Sequence, residues 1–186
     1  MSKELSTKPL VSIVVPAFNE EKNVLPCYRA VTEFFESVSD NYDFEVLFLD
    51  NHSHDNTIHE LRKIADADDR VRVVRYNRNY GFNKSLLTGL HLAKGDCAIP
   101  LDCDLQDPPE LIRTFLEKWQ AGHDLVIGVR QRREDGAVFT HSRKLFYRFL
   151  RKISDDEIIV DAGDFYLADR KVLDRVKRLY DANPYV

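Results

Sequence analysis

The sequence predicts an α/β fold, a mostly parallel sheet with helices on both faces, and three observations carry that prediction. Short apolar runs alternate with stretches of helical periodicity, the runs are apolar nearly throughout as doubly buried strands require, and polar clusters sit just past the ends of the runs. Leu10 to Ala17, rich in β-branched residues, reads as the first strand. Asn23 can cap a helix whose stripe Val24, Tyr28, Val31, Phe35 and Val38 recurs every three or four residues, with Pro26 tolerated in the first turn. Phe44 to Leu49 is a second strand, Thr57 to Ala67 a helix and Val71 to Arg75 a third strand. Asn83 to Lys94 reads as a helix stopped by Gly95, Cys97 to Leu101 as a strand, and Pro108 to Gln120 as a helix begun by proline. Leu125 to Val129 is another strand, Gln131 to Thr140 a mobile loop and His141 to Ile153 a basic amphipathic helix. A short strand at Phe165 to Ala168 and a helix from Arg170 to Tyr180 follow.

Parallel sheets of this kind bind ligands beyond the C-terminal ends of their strands. Asn19-Glu20, Asp50-Asn51, Asn77-Arg78-Asn79 and the run Asp102-Cys103-Asp104-Leu105-Gln106 all fall there, so one crevice collects them. In extended chain alternate side chains share a face, so Asp102, Asp104 and Gln106 can converge while Cys103 turns away. Such an oxygen set suits Mg²⁺ or Mn²⁺, which are commonly held by one or two carboxylates plus a substrate's phosphates. A solvated acidic turn is the competing reading of an isolated Asp-x-Asp; the position between an apolar strand and a proline-started helix favours the metal.

With 186 residues, 44% hydrophobic and 31% charged, the chain can bury one core, and a single domain is expected. It holds no run of about 18 apolar residues, and Met1 to Pro9 is polar without a signal-peptide core, so a soluble, cytoplasm-facing domain is expected. Cys27, Cys97 and Cys103 form no CxxC pair and read as reduced core residues, and the histidines lack a zinc-ligand spacing. Arg130 to Lys152 carries a net +6 within a chain of net −4, leaving −10 elsewhere. That asymmetry fits an anionic partner, a phosphate or an acidic membrane surface, and fits a solvated basic helix equally well. Nucleic acid is disfavoured, because the rest is acidic and no base-stacking or helix-turn-helix pattern accompanies the patch.

Ser12-Ile13-Val14-Val15-Pro16-Ala17-Phe18-Asn19-Glu20-Glu21, Leu49-Asp50-Asn51-His52-Ser53-His54-Asp55-Asn56-Thr57, Arg78-Asn79-Tyr80-Gly81-Phe82 and Asp102 to Glu110 together resemble a family 2 glycosyltransferase. Asp104-Leu105-Gln106-Asp107-Pro108-Pro109-Glu110 is similar, more narrowly, to the polyprenyl-phosphate sugar transferases, which include dolichol-phosphate mannose synthase and the undecaprenyl-phosphate glucose and aminoarabinose transferases. Gly163-Asp164-Phe165-Tyr166-Leu167 with Arg170-Lys171 resembles a later segment of that subgroup.

The resemblance implies a Rossmann-like nucleotide-diphosphosugar transferase (GT-A) fold and a metal-dependent, inverting transfer from a UDP- or GDP-linked sugar to a lipid phosphate. Pro16, Phe18, Glu20, Asp50, Gly81, Lys84 and Asp102 would then line the nucleotide site. Asp102, Asp104 and Gln106 would hold Mg²⁺ or Mn²⁺, Arg130 would contact a phosphate, and Asp164 would orient the acceptor or act as a base on a hydroxyl. Each residue also has a structural reading. Glu20 can be a first-turn helix acid, Asp55 a loop and cap residue, Gly81 a positive-φ turn, Lys84 a solvated lysine, and Asp164 a strand-start loop residue. Arg132 and Arg133 can be loop charges beside Arg130. Phe18 stands where the family often has tyrosine, and Asn51 where it is often acidic. Relatives continue past the position of Val186 into an interfacial helix and, in many, membrane-spanning helices, so residues 1–186 are expected to be one catalytic domain cut short of a membrane-associated region at the cytoplasmic face. A saccharide acceptor, or a non-catalytic nucleotide-sugar-binding domain, are the rival readings. A nucleotidyltransferase lacks support, because Val15 to Lys22 has no glycine- and basic-rich phosphate loop.

Overall fold

The computed structural model describes residues 8–129 and 162–177, with the side chains of 162–164 outside the description. The chain divides into two compact units, residues 1–126 with 165–186, and residues 127–164. Every site residue whose side chain is described belongs to the larger unit. The strands are β1 (Leu10–Ala17), β2 (Asp43–Asp50), β3 (Val71–Arg75), β4 (Cys97–Pro100), β5 (Leu125–Val129) and β6 (Ala162–Asp169). The helices are α1 (Val24–Glu36), α2 (Thr57–Ala67), α3 (Phe82–Leu92), α4 (Leu111–Gln120) and α5 (Arg170–Val176).

The sheet runs β3-β2-β1-β4-β6-β5. β1 pairs in parallel with β2 and β4, β2 with β3, and β6 runs antiparallel to β4. Strand order therefore reverses direction between β1 and β4, the switch point that opens a crevice above the C-terminal edge. Alternation along β1 sends Val11, Ile13 and Val15 into one core, with α1 and α4 residues such as Phe35 and Ile112. Val14, Leu47 and Leu49 enter a second core, with Leu86 and Leu90 of α3 and Leu173 of α5. Helices thus cover both faces, which is why these strands read as unbroken apolar runs.

Several elements depart from the sequence reading, each for a local reason. Asn23 does not cap α1 through its side chain; its amide nitrogen instead donates to Glu20 Oε2 at 2.6 Å. α3 ends at Leu92 rather than Lys94, and Gly95 is not its stop. A Cβ at Gly95 would lie 2.6 to 2.7 Å from Leu10 O, Cys97 O and Ser12 N, so glycine is there to let backbone approach backbone. β4 ends at Pro100, before Leu101 and Asp102. α4 begins at Leu111 rather than Pro108, because a residue followed by proline is pushed out of the α region and Pro108 precedes Pro109. The expected loop at 131–140 and basic helix at 141–153 lie outside the described residues.

Candidate active site

Each of β1 to β4 is followed by a residue in the left-handed region: Asn19 (φ 59°), His52 (φ 65°), Gly81 (φ 85°) and Leu105 (φ 57°). Backbone of that kind is rare for residues with a side chain and gathers where function overrides local preference. Here it turns the chain sharply at the crevice. The loops after β1 and β2 are latched together by hydrogen bonds. Asn19 N–H donates to Ser53 Oγ at 2.9 Å, His54 N–H to Asn19 Oδ1 at 2.9 Å, and Glu20 N–H to Thr57 Oγ1 at 2.7 Å. Glu21 N–H reaches Asp55 Oδ2 at 3.2 Å, and Asn56 N–H returns to Glu21 Oε2 at 3.1 Å. Burial works against ionisation of Asp55, but hydrogen bonds from Thr57 Oγ1, Thr57 N–H and Glu21 N–H outweigh it and hold the carboxyl below its ordinary range. Asp55 is therefore a latch residue. Neither Ser53 nor Thr57 stood out in the sequence as a partner of the β1 loop, since a contact across more than thirty residues leaves no local spacing signal.

Asp50 ends β2 and is fully buried. Ser53 N–H donates to its Oδ1 at 3.0 Å, while Oδ2 accepts no hydrogen bond from the described residues. Arg75 Nε lies 3.3 Å from Oδ2, near enough to pair in charge but not aligned to donate. Asn51 is also buried, and its Oδ1 accepts from Tyr80 N–H at 2.9 Å, tying the β2 end to the loop before α3. Above these groups the surface is aromatic. Phe18 (39% exposed) meets His54 edge-on at 6.1 Å, and Arg78 lies over the ring of Tyr80 (36% exposed) at 4.6 Å. Gly81 starts α3 with its N–H on Asn79 Oδ1 at 2.8 Å, and Lys84 projects exposed from the first turn.

The Asp102 run is a turn, not extended chain, which corrects the geometry by which its carboxylates were expected to converge. Leu105 N–H closes on Asp102 O at 3.1 Å, with Leu105 at positive φ. Asp104 is exposed and accepts from Gln106 N–H at 3.3 Å and from Gln106 Nε2 at 2.8 Å. Asp102 is half-buried, and Cys103 points into the core, its thiol pushed up by a hydrogen bond with Cys27 and by burial. Asp104 and Gln106 are thus brought together by the turn itself. No group of three or more His, Cys, Asp or Glu is placed to hold a metal ion among the described residues. The donor set of two carboxylates and one side-chain amide in a single five-residue turn still fits a hard cation that takes its remaining ligands from phosphate and water. Pro16 and Glu20 are half-buried at the β1 end of the same edge. Arg130 lies outside the described residues, and of Asp164 only the β6 backbone is described.

Comparison with known proteins bears on the family and the fold. The chain is 40% identical over 176 residues to the uncharacterized glycosyltransferase YkcC of Bacillus subtilis, covering 94% of this chain and 54% of that protein. It is 38% identical over 177 residues to a prophage bactoprenol glucosyl transferase homolog of Escherichia coli, covering 95% of this chain and 57% of the relative. The chain therefore spans just over half the length of these relatives. The mannosyltransferase PcManGT of Pyrobaculum calidifontis, solved with GDP-Man and Mn²⁺, superposes with a TM-score of 0.62 at 22% identity, covering 92% of this chain and 47% of that one. Glucosyl-3-phosphoglycerate synthase of Mycobacterium tuberculosis, solved with UDP, gives 0.58 at 23% identity, covering 88% and 57%. These two likenesses establish the Rossmann-like GT-A fold. With the model of glycosyl transferase family 2 matching residues 12–177, the chain belongs to that family.

Proposed function

We propose that this chain is the catalytic domain of a metal-dependent, inverting glycosyltransferase that moves a sugar from a UDP- or GDP-linked donor to a polyprenyl phosphate at the cytoplasmic face of a membrane. The observation that carries this reading is the Asp102 to Gln106 turn at the β1/β4 switch point, on the same edge as Asp50. The bactoprenol glucosyl transferases among the relatives support a lipid-phosphate acceptor. Asp50 accepts a hydrogen bond from the nucleoside, Phe18 offers a ring to the base, and Pro16, Glu20, Gly81 and Lys84 border the nucleotide. Asp102, Asp104 and Gln106 would hold Mg²⁺ or Mn²⁺, which when bound would supply Lewis-acid stabilisation of the departing nucleoside diphosphate. An acceptor phosphate oxygen attacks the anomeric carbon as the bond to the diphosphate breaks, inverting the configuration. With a second pKa of about 6 the phosphate is already largely anionic at neutral pH, so no strong base is required. Arg130 serves the acceptor phosphate by its planar fork, and Asp164 orients the acceptor. No helix among the described residues is long and apolar enough to cross a membrane.

Calorimetric titration with UDP and GDP, each with Mn²⁺ and with a chelator, tests the metal. Tight binding only with Mn²⁺ is expected; equal affinity in both conditions overturns the metal assignment. Transfer to lipid phosphate by the full-length enzyme, abolished by Arg130→Ala with nucleotide affinity kept, is the expected result for the acceptor. Unchanged transfer favours a saccharide acceptor.

A further inference from the structure

We propose that Arg75 is the residue that positions Asp50 for the nucleoside, resting on the reading of Asp50 given above. Asp50 and Arg75 are register partners at the C-terminal ends of β2 and β3, and β3 is the edge strand, so Arg75 reaches the carboxylate from the open side of the sheet. Asp50 is fully buried, and a buried carboxylate needs a compensating charge. Arg75 provides it at 3.3 Å from Oδ2 without aligning to donate. The charge is balanced and the acceptor stays unspent. Arg75 Nη2 also lies 3.5 Å from Ser53 O, and Ser53 N–H holds Oδ1 of the same carboxylate at 3.0 Å. One guanidinium therefore spans Asp50 and the loop that fixes Asp50's rotation. With its side chain 39% exposed, Arg75 has room to shift as a nucleoside N–H or O–H approaches Oδ2.

A stabilising ion pair between neighbouring strands is the rival account, and calorimetry separates the two. This chain, its Asp50→Asn, Arg75→Met and Arg75→Lys variants, and the Asp50→Asn/Arg75→Met double variant are titrated with the tighter of UDP and GDP in Mn²⁺. Arg75→Met is expected to weaken binding roughly tenfold, the scale of one hydrogen bond to a charged group, with the number of binding sites unchanged. In the Asp50→Asn background it should add less than about twofold, because both changes remove the same contact. Arg75→Lys should recover part of the loss, restoring charge without the fork. If Arg75→Met leaves affinity intact, lowers only the binding-competent fraction, or adds its full effect on top of Asp50→Asn, Arg75 has no positioning role while Asp50 keeps its own. If neither nucleotide binds, or Asp50→Asn binds as tightly as the parent, the nucleoside reading of Asp50 falls and Arg75's role with it.

Discussion

At the N-terminal end of the sheet the buried strand side chains Ser12 and Glu45 are saturated, whereas at the C-terminal end a buried strand carboxylate keeps an unused oxygen. Glu45 in β2 accepts from Ser12 Oγ at 2.7 Å and Lys94 N–H at 2.7 Å on one oxygen, and from Arg72 Nη1 at 3.0 Å on the other. Ser12 Oγ in turn accepts from Gly95 N–H at 2.8 Å, and Arg170 donates to Ala93 O and Gly95 O. Asp50, five residues along the same strand, has one oxygen bonded and one not. Left-handed residues with side chains stand at the second end, after β1, β2 and β4. Buried polar groups are nearly always paired, and one that is not calls for a specific explanation, such as a ligand that completes it. One end of the sheet therefore holds the fold, and the other is shaped for something not part of the chain.

The contrast breaks most visibly at Gly95. Gly95→Ala forces a Cβ against three backbone atoms that cannot swing aside, and should cost about 3 kcal/mol or prevent folding. Urea denaturation measures it, and a loss under about 1 kcal/mol would show that the close approach relaxes freely. Glu45→Gln comes next, at about 2 kcal/mol at pH 7, because it removes the charge facing Arg72 while leaving Arg72, Ser12 and Lys94 in place. Burial raises the Glu45 pKa, but bonds from Lys94 N–H, Ser12 and Arg72 outweigh it and hold the group below its ordinary 4.5. A depressed carboxyl contributes its stability above the unfolded value and loses it as pH falls through the folded value. The gap between parent and Glu45→Gln should therefore be full at pH 7 and close below pH 4.5. A gap that stays constant into acid would mean that Glu45 acts by shape alone.

The saturated end and the open end were unequally legible. β1, β3, β5 and α2 fall where apolar runs and helical periodicity put them, because burial on both faces writes itself into consecutive residues. Asn19-Glu20, Asp50-Asn51, Asn77-Arg78-Asn79 and the Asp102 run were legible as residues just past strand ends. Glu45 and Ser12 were not, since a lone polar residue within an apolar strand gives no sign of a partner on the neighbouring strand. Arg75 escaped for the same reason, its partner being a register contact and not a spacing. The Asp102 run was placed correctly and shaped wrongly. Extension was carried past Pro100, and nothing local announces a left-handed leucine at 105.

A smaller effect sharpens the comparison from the open end, where the latch between the β1 and β2 loops is built for stability as the far end is. Asp55→Ala removes acceptors for Thr57 N–H and Glu21 N–H and should cost about 1 kcal/mol at pH 7, as loss of a helix cap does. The Asp55 pKa is depressed from 3.8, so by the same sign rule this cost is full above pH 3.8 and is lost as pH falls through the lower folded value. Denaturation of parent and variant at pH 7 and at successively lower pH, until the cost stops changing, reads both limbs. A cost that persists in acid would place the effect in lost packing instead of the charged latch.

The smallest effect on stability, and the sharpest separation of the two ends, is expected at Asp104. Its carboxylate is exposed and, among the described residues, accepts hydrogen bonds from Gln106 in the same turn, so Asp104→Asn should change stability by no more than about 0.5 kcal/mol. If Asp104 holds the cation, the same variant should erase the difference between UDP or GDP binding with Mn²⁺ and binding with a chelator. Thermal denaturation and calorimetry on one preparation give both readings. A variant that melts like the parent yet no longer responds to Mn²⁺ separates function from folding at this end, where Glu45→Gln does the reverse. Should Asp104→Asn instead lower stability as far as Glu45→Gln does, the turn is part of the fold's framework and the division between the two ends fails.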